Sequence, residues 1–260
     1  MKNLRNVLGL LTFAVAVTPA IARADGDLSA VYAKVDQLNT TRDSADSIKQ
    51  MDAALSEALK ASPNDYGLLW RAARMHCWIG EGLSKEQSER RKVEAKQCWD
   101  LGAKAVNAKP EGVEGNYFAA NGAGNYSTEI GILKALGAGM EGIFNGYLDK
   151  AIKLDAGFQA ASPLIAKGRY YFSLPWPKRS YSKAEDQFKK ALAAEPKAIR
   201  AKLWLAETLV NDGDAKAAKV YIDQVDAQLA ANGDGFDPPE VKRVQSWLDP
   251  VKKKVQEELK

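Results

Sequence analysis

Residues 191–215 read ALAAEPKAIRAKLWLAETLVNDGDA, and this stretch has the pattern of a helical hairpin. Alanine and leucine at helical spacing lead to Glu195-Pro196, where one helix ends and the next one begins. The second helix carries Trp204 and stops before Gly213, which favours a turn into a third helix. The spacing therefore predicts helices that pack in successive pairs.

The phrase at 191–196 occurs three more times, earlier in the chain. Its counterparts lie at 58–63, 105–110 and 151–156, so the successive spacings are 47, 46 and 40 residues. Each phrase is followed by a helix with a large aromatic residue: Trp70, Tyr117, Tyr170 and Trp204. Tetratricopeptide arrays show this kind of self-similarity with a period of about 34 residues. We predict an all-α, tetratricopeptide-like helical-hairpin solenoid with elongated repeats, a concave groove and a C-terminal capping helix over 238–260.

Helical periodicity continues through nearly all of the chain after residue 25, and the alternation typical of strands is scarce. The predicted helices cover residues 27–39, 43–61, 65–80, 86–108, 112–126, 130–155, 159–173, 181–195, 197–211, 214–231 and 238–259. Asp43, Ser84, Ser180 and Asp237 occupy positions where N-cap residues belong. No linker rich in proline or serine divides this region, so we predict one domain over 25–260.

The first 24 residues have the pattern of a secretory signal peptide. Lys2 and Arg5 precede an apolar run over 7–17, and Ala22-Arg23-Ala24 is typical of a cleavage site. The run is too short to cross a bilayer, and no later segment reaches the roughly 18 apolar residues of a membrane span. No cysteine near the cleavage site could carry a lipid. We therefore expect a protein exported to the periplasm, cleaved after Ala24 and not a lipoprotein.

The charge balance gives no indication of nucleic-acid binding. Lysine and arginine total 37 and aspartate and glutamate 33, a formal charge of +4. Three of these bases, Lys2, Arg5 and Arg23, belong to the predicted signal peptide, so the mature chain would carry about +1. Its charges are interspersed along the helices, whereas nucleic-acid binding needs a clustered basic face.

A glycine cluster at 112–146 holds nine of the twenty glycines. Small residues at the centre of a helical array indicate either unusually close backbones or an open space. Within the cluster, Gly137-Ala-Gly139-Met-Glu-Gly142 matches a dinucleotide-binding fingerprint, but that fingerprint requires a preceding strand. Because the surrounding pattern is helical, we expect close helix packing there and no cofactor.

The cluster and the helix that follows it contain the candidate ligand-binding residues. They are Tyr117, Asn121, Asn125, Lys134, Arg169 and Tyr170. Tyr117, Asn121 and Asn125 share one helix face, and polar groups beside small residues suit a mostly apolar pocket. The asparagines could instead be helix-end or turn residues around Gly122 and Gly124. Arg169 could bind a ligand carboxylate through its guanidinium or pair with a neighbouring glutamate.

Cys77 and Cys98 are the only cysteines, and His76 is the only histidine. A disulfide is compatible with an oxidising compartment, but unequal distances from the intervening turn leave two buried thiols as the alternative. These three residues are too few for a recognisable zinc site. No catalytic motif is present, so we expect neither an enzyme nor a metal or cofactor site.

Several phrases resemble the periplasmic tetratricopeptide subunit of TRAP transporters, the T component. They include Tyr117-Phe-Ala-Ala-Asn121, Gly131-Ile-Leu-Lys-Ala135, Leu148-Asp-Lys-Ala-Ile-Lys-Leu-Asp155, Gly168-Arg-Tyr-Tyr-Phe172 and Leu174-Pro-Trp-Pro177. The resemblance implies an all-helical periplasmic subunit that can trimerise and has a pore or a hydrophobic cavity. It also implies that the partner is the transporter's substrate-binding protein.

Two functions are consistent with these features. The first is a TRAP-type binding subunit that holds a small apolar or amphipathic ligand, docks a substrate-binding protein, or does both. The alternative is a protein-interaction scaffold of the cell envelope, with a peptide or helix of another subunit in the groove.

Overall fold

The computed structural model describes residues 27–231 and 238–260, and these residues form α-helices and no strand. The helices are α1 Ser29–Asn39, α2 Ala45–Ala61, α3 Tyr66–Gly82, α4 Ser88–Ala108, α5 Val113–Ile130, α6 Ile132–Gly137, α7 Met140–Leu154, α8 Phe158–Ser173, α9 Tyr181–Ala194, α10 Ile199–Asn211, α11 Ala215–Ala230 and α12 Pro238–Glu258. A short 3-10 turn, Lys85–Gln87, precedes α4. The predicted all-α, solenoid-like fold is confirmed.

Helices pack mainly against their neighbours in the chain. The most extensive contacts are those of α3 with α4, α4 with α5, α5 with α7, α8 with α9 and α10 with α11. The largest buried core surrounds Phe188 and Leu203 in the C-terminal half, and a second core surrounds Met51 and Leu55 in the N-terminal half. This arrangement follows from the repeated phrase, since each hairpin buries its apolar stripes against the next.

Side-chain caps start several of these helices. Ser44, Asp65, Ser180 and Asp214 each accept a hydrogen bond from a backbone N–H in the first turn of the following helix. The predicted cap Ser180 is confirmed, and Ser84 forms a capping box with Gln87 in the 3-10 turn. The prediction for Asp43 was one residue early. Asp237 lies outside the described residues.

The single helix predicted over 130–155 was wrong, because the chain bends twice within it. Gly131, with φ of 94°, separates α5 from α6, and Gly139, with φ of 75°, precedes α7. Residues with a side chain adopt such positive φ values only at a cost, whereas glycine does not. The dinucleotide-like phrase at 137–142 therefore lies at a bend between two helices.

The C-terminal helix α12 packs on α10 and α11 and also reaches the N-terminal helices. Lys242 pairs with Asp43. The guanidinium of Arg243 lies 3.5 Å from the ring centre of Trp78 in α3. As a result, α12 connects α10 and α11 to α3 and to the turn before α2.

The predicted signal peptide at 1–24 lies outside the described residues. Among the helices that the structure describes, none combines the length and apolar character needed to cross a membrane.

Candidate ligand-binding site

Two adjoining cavities lie on the inner side of the helical array, with volumes of about 450 and 380 Å³. Helices α3, α4, α5, α6, α7, α8, α10 and α12 contribute to the wall of the larger cavity. The same side chains border both cavities at their junction: Cys77, Glu81, Tyr117, Asn121, Ser162, Ile165 and Arg200. We call the two together the central hollow.

Five of the six predicted residues border the larger cavity: Tyr117, Asn121, Asn125, Arg169 and Tyr170. They come from α5 and α8, which the packing brings to opposite sides of the same space. Lys134 lies on α6, is exposed, and borders neither cavity. Ile132, Ala135 and Leu136 of the same helix do border the larger cavity, so Lys134 lies on a different face of α6.

Three α5 side chains form a hydrogen-bonded row on the cavity wall, which we call the amide row. Asn125 Nδ2 donates to Asn121 Oδ1 at 2.7 Å, and Asn121 Nδ2 lies 3.4 Å from both the Tyr117 hydroxyl and Glu81 Oε1. Burial, together with the charge of Glu81, raises the pKa of Tyr117 to about 12. The phenol therefore stays protonated at neutral pH, so the row presents uncharged polar groups.

Asn116 shows that the helix-end alternative applies to a different asparagine. Its side-chain amide donates to the carbonyls of Pro110 and Gly112, at 2.9 and 2.8 Å. Asn116 is buried in the first turn of α5 and binds the turn before it, so it is structural, whereas Asn121 and Asn125 border the hollow.

Arg169 is already paired within the chain. Its guanidinium binds Glu207 and lies 4.2 Å from the ring centre of Trp204. The sequence left two roles open for Arg169, a ligand carboxylate or a neighbouring glutamate as its partner. In the structure the partner is a glutamate. Glu207 neutralises the charge of Arg169, whose planar guanidinium group forms part of the cavity wall.

Tyr170 is held in a similar way. Its hydroxyl donates to Glu141, which also pairs with Lys178 at 2.6 Å, and its ring stacks on Phe144 at 5.3 Å. Burial and the bond to Glu141 raise the pKa of Tyr170 to about 12. Tyr170 and Phe144 form one aromatic side of the larger cavity. Trp204 and Trp247, with ring centres 5.1 Å apart, form another.

A buried ionic cluster at the junction of the two cavities was not predicted. Arg200 binds Glu240 with two hydrogen bonds of 2.5 and 2.8 Å and approaches Glu81 at 3.4 Å. Arg243 lies 3.5 Å from the same Glu81. These residues belong to α3, α10 and α12, and nothing in the local sequence distinguishes them from surface charges.

The opposite charges of the ionic cluster keep each other ionised despite their burial. Burial would lower the pKa of Arg200, but the charges of Glu81 and Glu240 outweigh it and raise that pKa. Burial would likewise raise the pKa of Glu240, but Arg200 holds it below its usual range. Both groups therefore remain charged, and α12 is fastened to α10 by a bidentate ion pair.

Cys77 and Cys98 form a disulfide that joins α3 to α4, with their Cα atoms 5.3 Å apart. Next to it, His76 Nδ1 lies 2.7 Å from a carboxylate oxygen of Glu94. Cys77 borders both cavities, so the disulfide forms part of the wall of the hollow. Within the described ranges, no group of three or more histidine, cysteine, aspartate or glutamate side chains could hold a metal ion.

A family model, regulator of microtubule dynamics protein 1-3, matches residues 31–248 and so includes every residue that borders the hollow. The chain belongs to this family. None of the curated proteins matches the chain.

Membership of the regulator of microtubule dynamics family corrects the TRAP assignment, which was wrong. The transporter, its substrate-binding protein and the periplasmic subunit role were inferred from that resemblance and fall with it. The phrases that suggested it are rich in alanine, leucine and aromatic residues, which any stacked helical hairpin needs at its contacts. A trimer was implied by the same resemblance and has no other basis. The hollow is a separate finding of the structure.

Proposed function

We propose that this family member is a non-catalytic binding protein that holds a small organic molecule in the central hollow. The observation that carries the proposal is the larger cavity of about 450 Å³, with aromatic walls and one row of neutral polar groups. Ligand sites in proteins typically have volumes of about 300 to 1,000 Å³, apolar walls and a few orienting polar groups.

The walls suit a ligand with a flat or chain-like apolar part. Phe144 and Tyr170 stack at one side and Trp204 and Trp247 at another, so an apolar body between them would bury its surface against rings. Asn121 and Asn125 provide both donors and acceptors for a polar group of the ligand. These side chains are already held by hydrogen bonds, which reduces the entropy lost on binding.

The chemistry of the hollow favours binding over catalysis. Tyr117 and Tyr170 have raised pKa values of about 12 and so are poor bases near neutral pH. Glu81 and Glu240 are engaged by Arg200 and Arg243. These two glutamates are thus already paired with arginines of the wall.

We also propose that residues 1–24 direct export into an oxidising compartment. The charged start, apolar run and Ala22-Arg23-Ala24 support this, as does the Cys77–Cys98 disulfide, since disulfides persist mainly outside the reducing cytosol. N-terminal sequencing of the chain from its own host should find Asp25 first. A chain that keeps residues 1–24 and two free thiols would overturn this proposal.

Native mass spectrometry of the purified protein tests the binding function. We expect a bound small molecule, recovered on denaturation, and expect Asn121→Leu to weaken its binding by about tenfold or more. That variant removes two or three hydrogen bonds of the amide row, each contributing about 1 kcal/mol. Lys134→Ala is the matched control, because Lys134 borders neither cavity. Equal retention in the two variants, or no binding of any compound from a diverse library, would contradict the proposal.

A further inference from the structure

The smaller cavity has an arginine-rich wall. Arg42, Arg74 and Arg200 border it, facing Glu81 and Glu240. Arg200 is matched by the two glutamates, as described above. Near Arg74, positive charges outnumber negative ones. This part of the wall indicates a ligand.

Arg74 shares its carboxylate with another arginine. Its Nη2 lies 2.8 Å from Asp36 Oδ1, while Arg71 Nη2 lies 2.7 Å from Asp36 Oδ2. One carboxylate therefore serves two guanidinium groups. The side chains of Arg71 and Arg74 are only 13% and 16% exposed, so bulk water screens the remaining positive charge poorly.

A donor of Arg74 also lacks an acceptor. Its Nε makes no hydrogen bond among the described residues, and neither does Oδ1 of Asn39, a residue that borders the same cavity. Both atoms are fully buried, so a ligand would contact Arg74 through the 16% of its side chain that is exposed. A buried donor without an acceptor costs about 1 to 3 kcal/mol. Burial and the nearby Arg71 and Arg42 lower the pKa of Arg74, although Asp36 opposes them. The surroundings of Arg74 would thus be stabilised by added negative charge.

The backbone on the opposite wall adopts an unusual conformation. Gln159, Ala160 and Ala161 have φ values of 47°, 57° and 60°, although none is glycine. Each left-handed residue of this kind costs about 1 to 2 kcal/mol. Gln159 and Ala160 border the smaller cavity, and backbone strain of this kind concentrates at functional sites.

We propose that the smaller cavity binds the anionic oxygens of the ligand, a carboxylate or a phosphate, with Arg74 as the principal donor. This inference rests on the proposed binding function, because the body of the same ligand would lie in the larger cavity. The two cavities meet at Tyr117, Asn121 and Ser162, so one elongated molecule can occupy both. The ligand is then an organic anion with an apolar body.

The guanidinium group fits this role. Arginine keeps its charge at any physiological pH and donates along directions that match carboxylate and phosphate oxygens. Charge-assisted bonds of this kind are about twice as strong as neutral ones.

A matched series of probes tests the inference by isothermal titration calorimetry on the purified protein. The probes are octanoate, octyl phosphate, octanol and octyltrimethylammonium, which share a chain and differ in charge, with inorganic phosphate alone as a fifth. We expect each anionic octyl probe to bind more than tenfold tighter than octanol. The octylammonium probe should bind more weakly than octanol, and inorganic phosphate more weakly than octyl phosphate.

Arg74→Gln should abolish the preference for anions while leaving the affinity for octanol unchanged. Lys134→Gln is the matched control: it removes a positive charge from an exposed residue that borders neither cavity, so the preference should persist. Circular dichroism verifies the fold of both variants. If Arg74→Gln does not fold, Arg74→Lys keeps the charge but loses Nε, and we expect a reduced preference.

The outcomes separate the two proposals. Equal binding of the anionic, neutral and cationic probes would overturn the anion site and leave the binding function standing. If none of the octyl probes binds, the binding function loses its support. Inorganic phosphate bound as tightly as octyl phosphate, and lost in Arg74→Gln, would support the anion site but identify its ligand as a free anion. A preference unchanged in Arg74→Gln would exclude Arg74.

Discussion

The two halves of the glycine cluster differ in what surrounds them. In residues 112–124, a methyl group added to a glycine would collide with a neighbouring helix or side chain. At Gly122 it would lie 2.2 Å from the backbone nitrogen of Trp99 in α4. In residues 131–146, a methyl group on Gly137, Gly139, Gly142 or Gly146 would meet nothing within 4 Å.

The first half allows α4 and α5 to pack backbone to backbone. A Cβ atom added to Gly102 of α4 would lie 2.4 Å from the backbone nitrogen of Ala119 in α5. Gly122 of α5 is in equally close contact with the backbone of α4. No side chain fits between the helices at these points. The sequence-based expectation of close packing therefore applies to this half.

The second half provides bends and an open surface. Gly131 and Gly139 have positive φ values and divide the segment into short helices. Close helix packing was predicted for 137–142 and is wrong among the described residues, because no helix lies against those glycines. The same residue type is thus needed for contact in one half and for backbone conformation in the other. Substitutions can test this contrast.

Gly122→Ala should have the largest effect. Its backbone conformation is compatible with alanine, so the only new interaction is the collision with α4 at Trp99. Overpacking typically costs about 1 to 3 kcal/mol, and a collision with backbone falls at or beyond the upper end of that range. We expect the free energy of unfolding, measured by urea denaturation, to fall by more than about 3 kcal/mol.

Gly102→Ala provides an independent test of the same contact and should be similarly destabilising. A loss below about 1 kcal/mol in both variants would mean that α4 and α5 separate easily, and the contrast between the two halves would fail.

Removing the disulfide should have the next largest effect, because it fastens the same closely packed side of the hollow. Cys77 and Cys98 are 21 residues apart and close a loop between α3 and α4. Loops of this size stabilise a protein by roughly 3 kcal/mol through the unfolded state. We expect the double variant Cys77→Ala, Cys98→Ala to lose roughly 2 to 3 kcal/mol in urea denaturation.

The wild type in the presence of a reducing agent is the control for that variant. Its stability should fall to nearly the same value, because both changes open the same loop. A double variant as stable as the oxidised wild type would show that helix packing alone holds α3 against α4.

Gly139→Ala should cost about 1 kcal/mol or slightly more, because alanine is disfavoured in the left-handed conformation of Gly139. No atom within 4 Å opposes the added methyl group, so the cost lies entirely in the backbone. The measurement is the shift in unfolding free energy relative to Gly142→Ala, which adds the same methyl group three residues later. Equal stability of the two variants would show that the bend at Gly139 is not maintained in solution.

The repeated phrases were enough to predict the fold. A helix end, a proline or acidic turn and an aromatic residue recur at 58–63, 105–110, 151–156 and 191–196, and all of these lie at observed helix ends. The bends at Gly131 and Gly139 were missed because Ile132-Leu-Lys-Ala-Leu136 continues the helical periodicity across them. Periodicity detects which face is apolar, but a single residue with positive φ does not disturb it.

The candidate site was predictable only within single helices. Asn121 and Asn125 were found because they share a helix face beside small residues, and their row depends on local spacing. The smaller cavity is bordered by Arg74, Glu81, Arg200 and Glu240, which only the packing of distant helices brings together. Glu81 and Arg200 are 119 residues apart in the chain. Arginine and glutamate are also the commonest residues of exposed helix faces, so local sequence gives no indication that these are buried.

Gly142→Ala should have the smallest effect and the opposite sign. Gly142 lies inside α7 in open space, and alanine has a higher helix propensity than glycine by up to about 1 kcal/mol. We expect a small gain in unfolding free energy, and a similar gain for Gly146→Ala, measured by thermal and urea denaturation at several protein concentrations. A loss of stability that grows with protein concentration would show that a second copy covers this face in solution. The open half of the glycine cluster would then be a contact surface like the first half, formed between chains and not within one.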